Sequence, residues 1–226
     1  MTRRLIVVTA GLSQPSSTRL LSDRIADAVI AAIGARGEAV DVEVVELRDL
    51  AGDLATMMTT QIPTPALAEV RERVSRADGL VAVTPVFTAS YSGLFKMFFD
   101  ALDADAVRGM PTIIAATAGS ARHSLVLDHA MRPLFAFLGA VVVPTGIFAA
   151  TEDFGSGEST GEEGLSGRIR RAADELAALI VADTGGVDGF VPTSTTRPRR
   201  SGNTVPGVSM GTGGSAFEVL LQPHLK

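Results

Sequence analysis

The sequence predicts an α/β domain built on a doubly wound, parallel, five-stranded sheet with helices on both faces. Apolar, β-branched runs alternate with stretches whose apolar residues recur at helical spacing. The runs ending at Thr9, Thr84 and Thr117 each pass into a loop rich in Gly, Pro and hydroxyl side chains. Right-handed crossovers set those loops on one edge of the sheet, at the carboxyl ends of the strands, where α/β sheets bind ligands.

Each element follows from its own pattern. Arg3 to Thr9 reads as a strand whose apolar run, Leu5 to Val8, suits cover on both faces. Leu20, Leu21, Ile25, Ala28, Val29, Ala32 and Ile33 mark a helix that ends near Gly34 and Gly37. Val40 to Leu47 alternates Val with acids, which predicts a strand nearer the sheet edge, with Asp41, Glu43 and Glu46 solvated. A less regular connection carries Met57, Met58 and Pro63. A helix then runs from Pro65 through Val74, followed by a strand over Gly79 to Thr84 and a helix over Ser92 to Leu102. Thr112 to Thr117 is the next strand and Ser124 to Leu138 the next helix. Val141 to Val143 completes the sheet, with Ile147 to Ala149 extending it past Pro144, and Leu165 to Val181 is the last helix.

The chain has 226 residues, enough for one sizeable core, and residues 1–184 are read as that domain. Residues 185–226, rich in Gly, Ser, Thr and Pro, read as a partly flexible extension, with Ala216 to Leu221 apolar enough to dock on the core or on a neighbouring subunit. The formal charge of -5 argues against a nucleic-acid surface. With no cysteine, disulfides, thiolate metal sites and cysteine catalysis are all excluded. The apolar run at Leu5 to Val8 is too short for a secretion signal, and no later run reaches the length of a membrane span, so the expectation is a cytoplasmic protein. His123, His129 and His224 are too scattered to hold a metal, and none is expected.

The first loop, GLSQPSST (Gly11 to Thr18), lacks the Gly-Lys-Ser/Thr ending of a P-loop and the Gly-x-Gly-x-x-Gly of a dinucleotide site. It can still hold an anion. Thr18 or Ser17 caps the following helix, and the remaining hydroxyls, with the helix amides and dipole, face a phosphate. A serine-rich turn with an ordinary cap is the plainer reading. The second loop, TPVFTASYSGLFK (Thr84 to Lys96), offers Phe87 and Tyr91 as flat apolar contacts and backbone groups near Val86 to Ala89 for a polar ring edge. Lys96 reads as a surface lysine, and Phe95, Phe98 and Phe99 as core or dimer packing. The third loop, TAGSARH (Thr117 to His123), offers hydroxyls at Thr117 and Ser120, close backbone approach at Gly119, and Arg122 and His123 for an anion or carbonyl edge.

Taken together, these loops resemble those of the NAD(P)H-dependent FMN reductases, a flavodoxin-like family, over roughly Thr2 to Val181. Within it the resemblance is greatest to reductases that serve two-component flavin monooxygenases. It implies that Ser13, Ser16, Ser17 and Thr18 hold the FMN phosphate. Pro85, Val86, Phe87 and Thr88, with Ser90 and Tyr91, would cradle the isoalloxazine, and Thr117, Gly119 and Ser120 would add ring contacts, with His123 positioning ring or nicotinamide. Two departures stand out. Ser17 replaces an arginine common in the family's first loop, and Phe87 replaces a tyrosine common in its second. Loss of the arginine removes a charged phosphate partner, which suits FMN that leaves after reduction.

The resemblance implies hydride transfer from the nicotinamide C4 of NADPH or NADH to flavin N5, with no protein nucleophile. The expected product is FMNH2 for a separate monooxygenase. A quinone or azo-dye reductase that retains FMN, a flavodoxin-like electron carrier and a phosphosugar-binding module are the alternatives. Arg122 is the candidate for the extra phosphate of NADPH, with at most a modest preference for that donor, while Arg19 and Arg24 are read as solvated. A homodimer is expected, with a tetramer open, because Leu94, Phe95, Met97, Phe98 and Phe99 spread too far around one helix to face a single sheet.

Overall fold

The computed structural model describes residues 2–154 and 164–182. The central strands β1 (Thr2–Thr9), β3 (Gly79–Phe87) and β5 (Pro111–Ala118) are buried along most of their length, as their unbroken apolar runs require. The Val/acid alternation places β2 (Ala39–Glu46) at the edge, with mostly half-buried residues. On the far side of β5, two short strands share one position. β6 (Val141–Val142) pairs with the start of β5 and β7 (Ile147–Ala150) with its end. Pro144, which has no N–H for a ladder, falls in the gap, so the predicted extension past it is a split strand. The order β2-β1-β3-β5-β6, parallel throughout, is the doubly wound flavodoxin-like arrangement.

Helices cover both faces. α1 (Ser17–Gly34) and α6 (Leu165–Ala182) pack Leu21, Ile25, Val29 and Leu176 against Leu5, Val7, Val81 and Ile113. The other face is covered by α2 (Ala51–Thr60), α3 (Pro65–Ser75), α4 (Gly93–Asp100) and α5 (Arg132–Phe137). Its centre is aromatic: the Phe99 ring lies 4.7 Å from Phe95 and 4.8 Å edge-on from Phe135. Side chains set the helix starts, with Thr64 Oγ1 accepting from the Leu67 amide at 3.3 Å and Ser92 Oγ from the Phe95 amide at 3.2 Å.

Three elements differ from the sequence reading. The residues around Met57 and Met58, expected to be irregular, form α2, because Leu54 and Met57 recur on one face and are buried. Instead of one helix over Ser124 to Leu138, a 3₁₀ turn (Ala121–His123) and a π turn (Leu127–Met131) precede α5. Pro133 explains this: it has no N–H for the carbonyl one turn back, and its ring crowds that turn. Finally, β4 (Ser90–Tyr91) folds back on β3 as a small antiparallel hairpin, with Val86 opposite Tyr91 and Phe87 opposite Ser90. The proposed division at residues 184 and 185, the extension, its Ala216 to Leu221 segment and His224 lie outside the described residues. No described helix is long and apolar enough to cross a membrane.

Candidate functional site

The three loops follow β1, β3 and β5, which are consecutive neighbours in the sheet, so they share one edge. In the first loop, Gly11 is buried, and a Cβ there would lie 2.1 Å from Ser16 Oγ and 3.2 Å from Thr18 Cβ. Only glycine lets the loop curl this tightly. The cap is supplied by Ser16, not by Ser17 or Thr18 as the sequence reading had it: Ser16 Oγ accepts from the Arg19 amide at 3.2 Å. Ser16 has the extended backbone of a cap residue, whereas Ser17 and Thr18 already lie in the first turn of α1. Ser13 and Ser17 are exposed. Thr18 is only 2% exposed, and its Oγ1 hydrogen-bonds Thr117 Oγ1 at 2.8 Å. At the end of β1, the buried Thr9 hydroxyl has no partner among the described residues.

Charged groups gather beside this loop that the motif reading missed. Arg19 pairs with Asp23 at 2.8 Å and with Glu46 at 2.5 Å, and so is not merely solvated. Its guanidinium is held above its ordinary pKa, chiefly by the hydrogen bond to Asp23, with the charges of Asp23 and Glu46 adding and burial opposing. Arg48 also reaches Glu46, at 2.9 Å, and with the Gln14 side-chain oxygen turned toward it donates to that oxygen at 2.5 Å. The available signal was the end of the edge strand, which parallel pairing sets beside the end of β1. Arg24 is likewise engaged, 5.7 Å over the Phe154 ring.

In the second loop, Thr84 and Pro85 are buried and Thr84 Oγ1 accepts from the Ser92 amide at 3.0 Å, which ties the strand end to the start of α4. The hairpin turns at Thr88 and Ala89, with φ of 50° and 65°. This left-handed pair is costly for a β-branched residue, and such strain concentrates at functional sites. Phe87 points outward at 47% exposure. Tyr91 is half-buried and leans on Phe95, with centroids 5.8 Å apart. Lys96 pairs with Asp100 at 2.5 Å on the surface. In the third loop, Thr117 is 3% exposed, Ser120 is half-buried, and Gly119, Arg122 and His123 are exposed. A cavity of about 270 Å³ lies elsewhere, along α6, against Gly167, Arg170, Arg171, Asp174 and Glu175. The described residues contain no cluster of metal-ligating side chains.

Residues 3–155 match the family described as NADPH-dependent FMN reductase. The chain belongs to this family. An NADPH-using FMN reductase of Pseudomonas aeruginosa is 39% identical over 78% of this chain and 92% of its own length. An NADH-dependent FMN reductase of Pseudomonas fluorescens is 37% identical over 78% and 91%. Among solved structures, an oxidoreductase of Corynebacterium diphtheriae is 62% identical, with a TM-score of 0.76 over 80% of this chain and 98% of that one. The apo form of an NADH:FMN oxidoreductase is 26% identical, with a TM-score of 0.67 over 77% and 88%.

The loops of this family member suit a flavin phosphate. The first loop carries no acidic side chain, and the carboxylates of Asp23 and Glu46 are paired with Arg19 and Arg48. The Gly11 curl packs against Ser16 and Thr18 at the start of α1, where helix amides and dipole favour an anion. The second and third loops continue that edge with Val86, Phe87, Tyr91, Gly119 and Ser120, the apolar and polar mixture that a planar heterocycle requires.

Proposed function

We propose that the chain catalyses NAD(P)H-dependent reduction of FMN to FMNH2, by hydride transfer from nicotinamide C4 to flavin N5. The observation that carries this is the capped, glycine-curled start of α1 beside two further loops on adjacent strands, in a chain whose family is defined by FMN reduction. Bound flavin supplies the hydride acceptor; the protein binds, orients and excludes. Ser13, Ser16, Ser17 and Thr18 hold the phosphate, Pro85 to Thr88 with Ser90 and Tyr91 hold the ring, Thr117, Gly119 and Ser120 meet its edge, and His123 positions ring or nicotinamide. Anaerobic stopped-flow with FMN and each nicotinamide tests the reaction. Loss of flavin absorbance is expected, and persistent absorbance with both donors, where FMN binds, rejects it. His123→Ala should slow reduction without abolishing it, and unchanged kinetics at saturating ligands would remove His123 from the site.

FMN is read as a substrate that leaves, carrying electrons to a separate monooxygenase. In support, Ser17 brings no cation to the loop, and the neighbouring guanidiniums of Arg19 and Arg48 are committed to carboxylates. FMN that survives exhaustive dialysis, with quinone turned over faster than free FMN, would instead make this a flavin-retaining reductase. Arg122, exposed on the third loop, is the candidate partner for the extra phosphate of NADPH. Paired kcat/KM values should favour NADPH modestly, and equal values would sink the preference.

The working assembly is a homodimer. Phe95, Phe98 and Phe99 are buried within the chain itself, so the outward contact of α4 rests on the half-buried Leu94 and Met97. Sedimentation equilibrium of the full chain and of a chain ending at Gly185 should give a dimer for both. Monomers in both would defeat this reading, and a dimer only at full length would move the contact to the extension.

A further inference from the structure

We infer that Ala216 to Leu221 docks on its own domain, over the exposed corner that Phe137 and Val141 make at the outer edge of the sheet. Phe137 is 86% exposed, more than any other large apolar side chain of the described residues, and Val141 is 44% exposed. The two bracket one turn. Phe137 ends α5, Gly139 turns the chain at φ 71°, and Val141 opens β6, its amide donating to the Met110 carbonyl at 2.9 Å. Pro133 and Ala136, on the same helix, are also exposed. β6 is the last strand in the order, and no described strand pairs with its outer side. An apolar corner beside an open strand edge is a surface that proteins ordinarily cover.

The place where α6 ends selects the occupant. Ile180, in its last turn, stands against Gly79 at the start of β3. Leu80 pairs with Thr112 and Pro111 with Val141, so Gly79, Pro111 and Val141 share one level across neighbouring strands. The end of α6 therefore lies two strand spacings, roughly 10 Å, across the sheet from Val141. Residues 183–215 have the Gly, Ser, Thr and Pro content of a linker, and a linker of that length reaches about 30 Å on average, enough to return to the corner. Ala216 to Leu221 follows, apolar except for Glu218. Residues 155–163 join β7 to α6 at the other end of the sheet, far from this corner. A second copy fits less well. The Phe137 ring presents on the order of 200 Å², whereas a standing dimer covers about 800 Å² a side. A tethered segment does not need that area, because its effective concentration is about millimolar.

The chain has no tryptophan, so Phe137→Trp introduces a single indole at the corner. The experiment is acrylamide quenching of its fluorescence in the full-length, flavin-free protein. Two tails are compared, the native one and Phe217→Ser/Leu220→Ser/Leu221→Ser. Both keep the whole chain, and position 137 is open enough to accept the larger ring. At a millimolar effective concentration, a segment that binds at about 0.1 mM covers the corner about nine-tenths of the time, so quenching should be at least about threefold weaker with the native tail than with the serine tail. That difference, unchanged on dilution, supports the docking. Equally strong quenching with both tails leaves the corner open and overturns the inference. Equally weak quenching with both gives the corner another occupant and also overturns it, as does shielding that disappears on dilution, the mark of a second copy.

Discussion

Gly11→Ala is the most direct test of the first loop, because the cost can be worked from the structure. The new methyl carbon would lie 2.1 Å from Ser16 Oγ, far inside contact distance. Ser16 can relieve the clash by rotating, but its Oγ then leaves the Arg19 amide it accepts from at 3.2 Å. Loss of that cap costs about 1 kcal/mol. Rotation leaves Ser16 Cβ and Thr18 Cβ, each 3.2 Å from the new atom, and this residual crowding adds about 1–2 kcal/mol. The sum, about 2–3 kcal/mol, corresponds to a Tm lower by about 4–12 °C in a domain of this size. FMN affinity should fall at least about tenfold, since the displaced hydroxyl and the loosened first turn both belong to the cradle. The decisive assay is a double-mutant cycle with Ser16→Ala, read by thermal melting and FMN titration. In the Ser16→Ala background the cap is already gone and the clashing oxygen absent, so Gly11→Ala should cost about 1 kcal/mol less than in wild type. Equal cost in the two backgrounds, or a wild-type Tm for Gly11→Ala, would refute the proposed geometry.

Other substitutions separate stability from binding. Thr88→Gly removes a β-branched residue from a backbone with φ of 50° and should raise the Tm by about 2–4 °C; a lower Tm would mean that the turn is not strained. Gly79→Ala sets a methyl 2.6 Å from Ile180 Cδ1 under α6, and should cost about 1–3 kcal/mol by thermal melting while leaving the FMN Kd unchanged. A changed Kd would show that the sheet floor communicates with the loops. Glu46→Gln removes the carboxylate shared by Arg19 and Arg48, and should tighten FMN about two- to fivefold at low salt, with the gain fading as salt rises. Weaker FMN binding at every salt concentration would make Glu46 a brace for the loop instead of a competitor for its cations.

Much of the fold was legible because burial on both faces leaves a simple trace. Leu5 to Val8, Leu80 to Val83 and Ile113 to Ala116 are unbroken apolar runs, and each became a buried central strand. The failures share a physical cause: local chemistry that periodicity does not carry. The β3–β4 hairpin was missed because Thr88 and Ala89 hold its left-handed turn, where Asn or Gly would have announced it. The helix after the third loop was read as continuous because Leu127, Met131 and Phe135 keep its spacing, yet Pro133 denies the regular ladder one hydrogen bond and the chain widens ahead of it. The segment of Met57 and Met58, read as a less regular connection, is helical although Gly52, Thr56, Thr59 and Thr60 are weak helix formers; burial of Leu54 and Met57 outweighs that.

At the first loop, the residues were legible while their division of labour was not. A row of hydroxyls says that one will cap the helix, and only the backbone decides which; Ser16 has the extended conformation and Thr18 the helical one. Ser16 accepts from the Arg19 amide and Thr18 meets Thr117, while Ser13 and Ser17 are the exposed hydroxyls of the loop. The absence of an arginine at position 17 then carries more weight than the motif alone implied, because Arg19 and Arg48 stand close by but are held by Asp23 and Glu46. On the proposed function, a dianion there would be held chiefly by amides, the helix dipole and a few hydroxyls, whose strength depends on alignment more than on charge. On the proposed function, affinity in such a loop would be governed by the groups that fix its shape, the missing Cβ of Gly11 and the cap from Ser16. These residues can tune how readily the flavin is released without any of them adding or removing a charge.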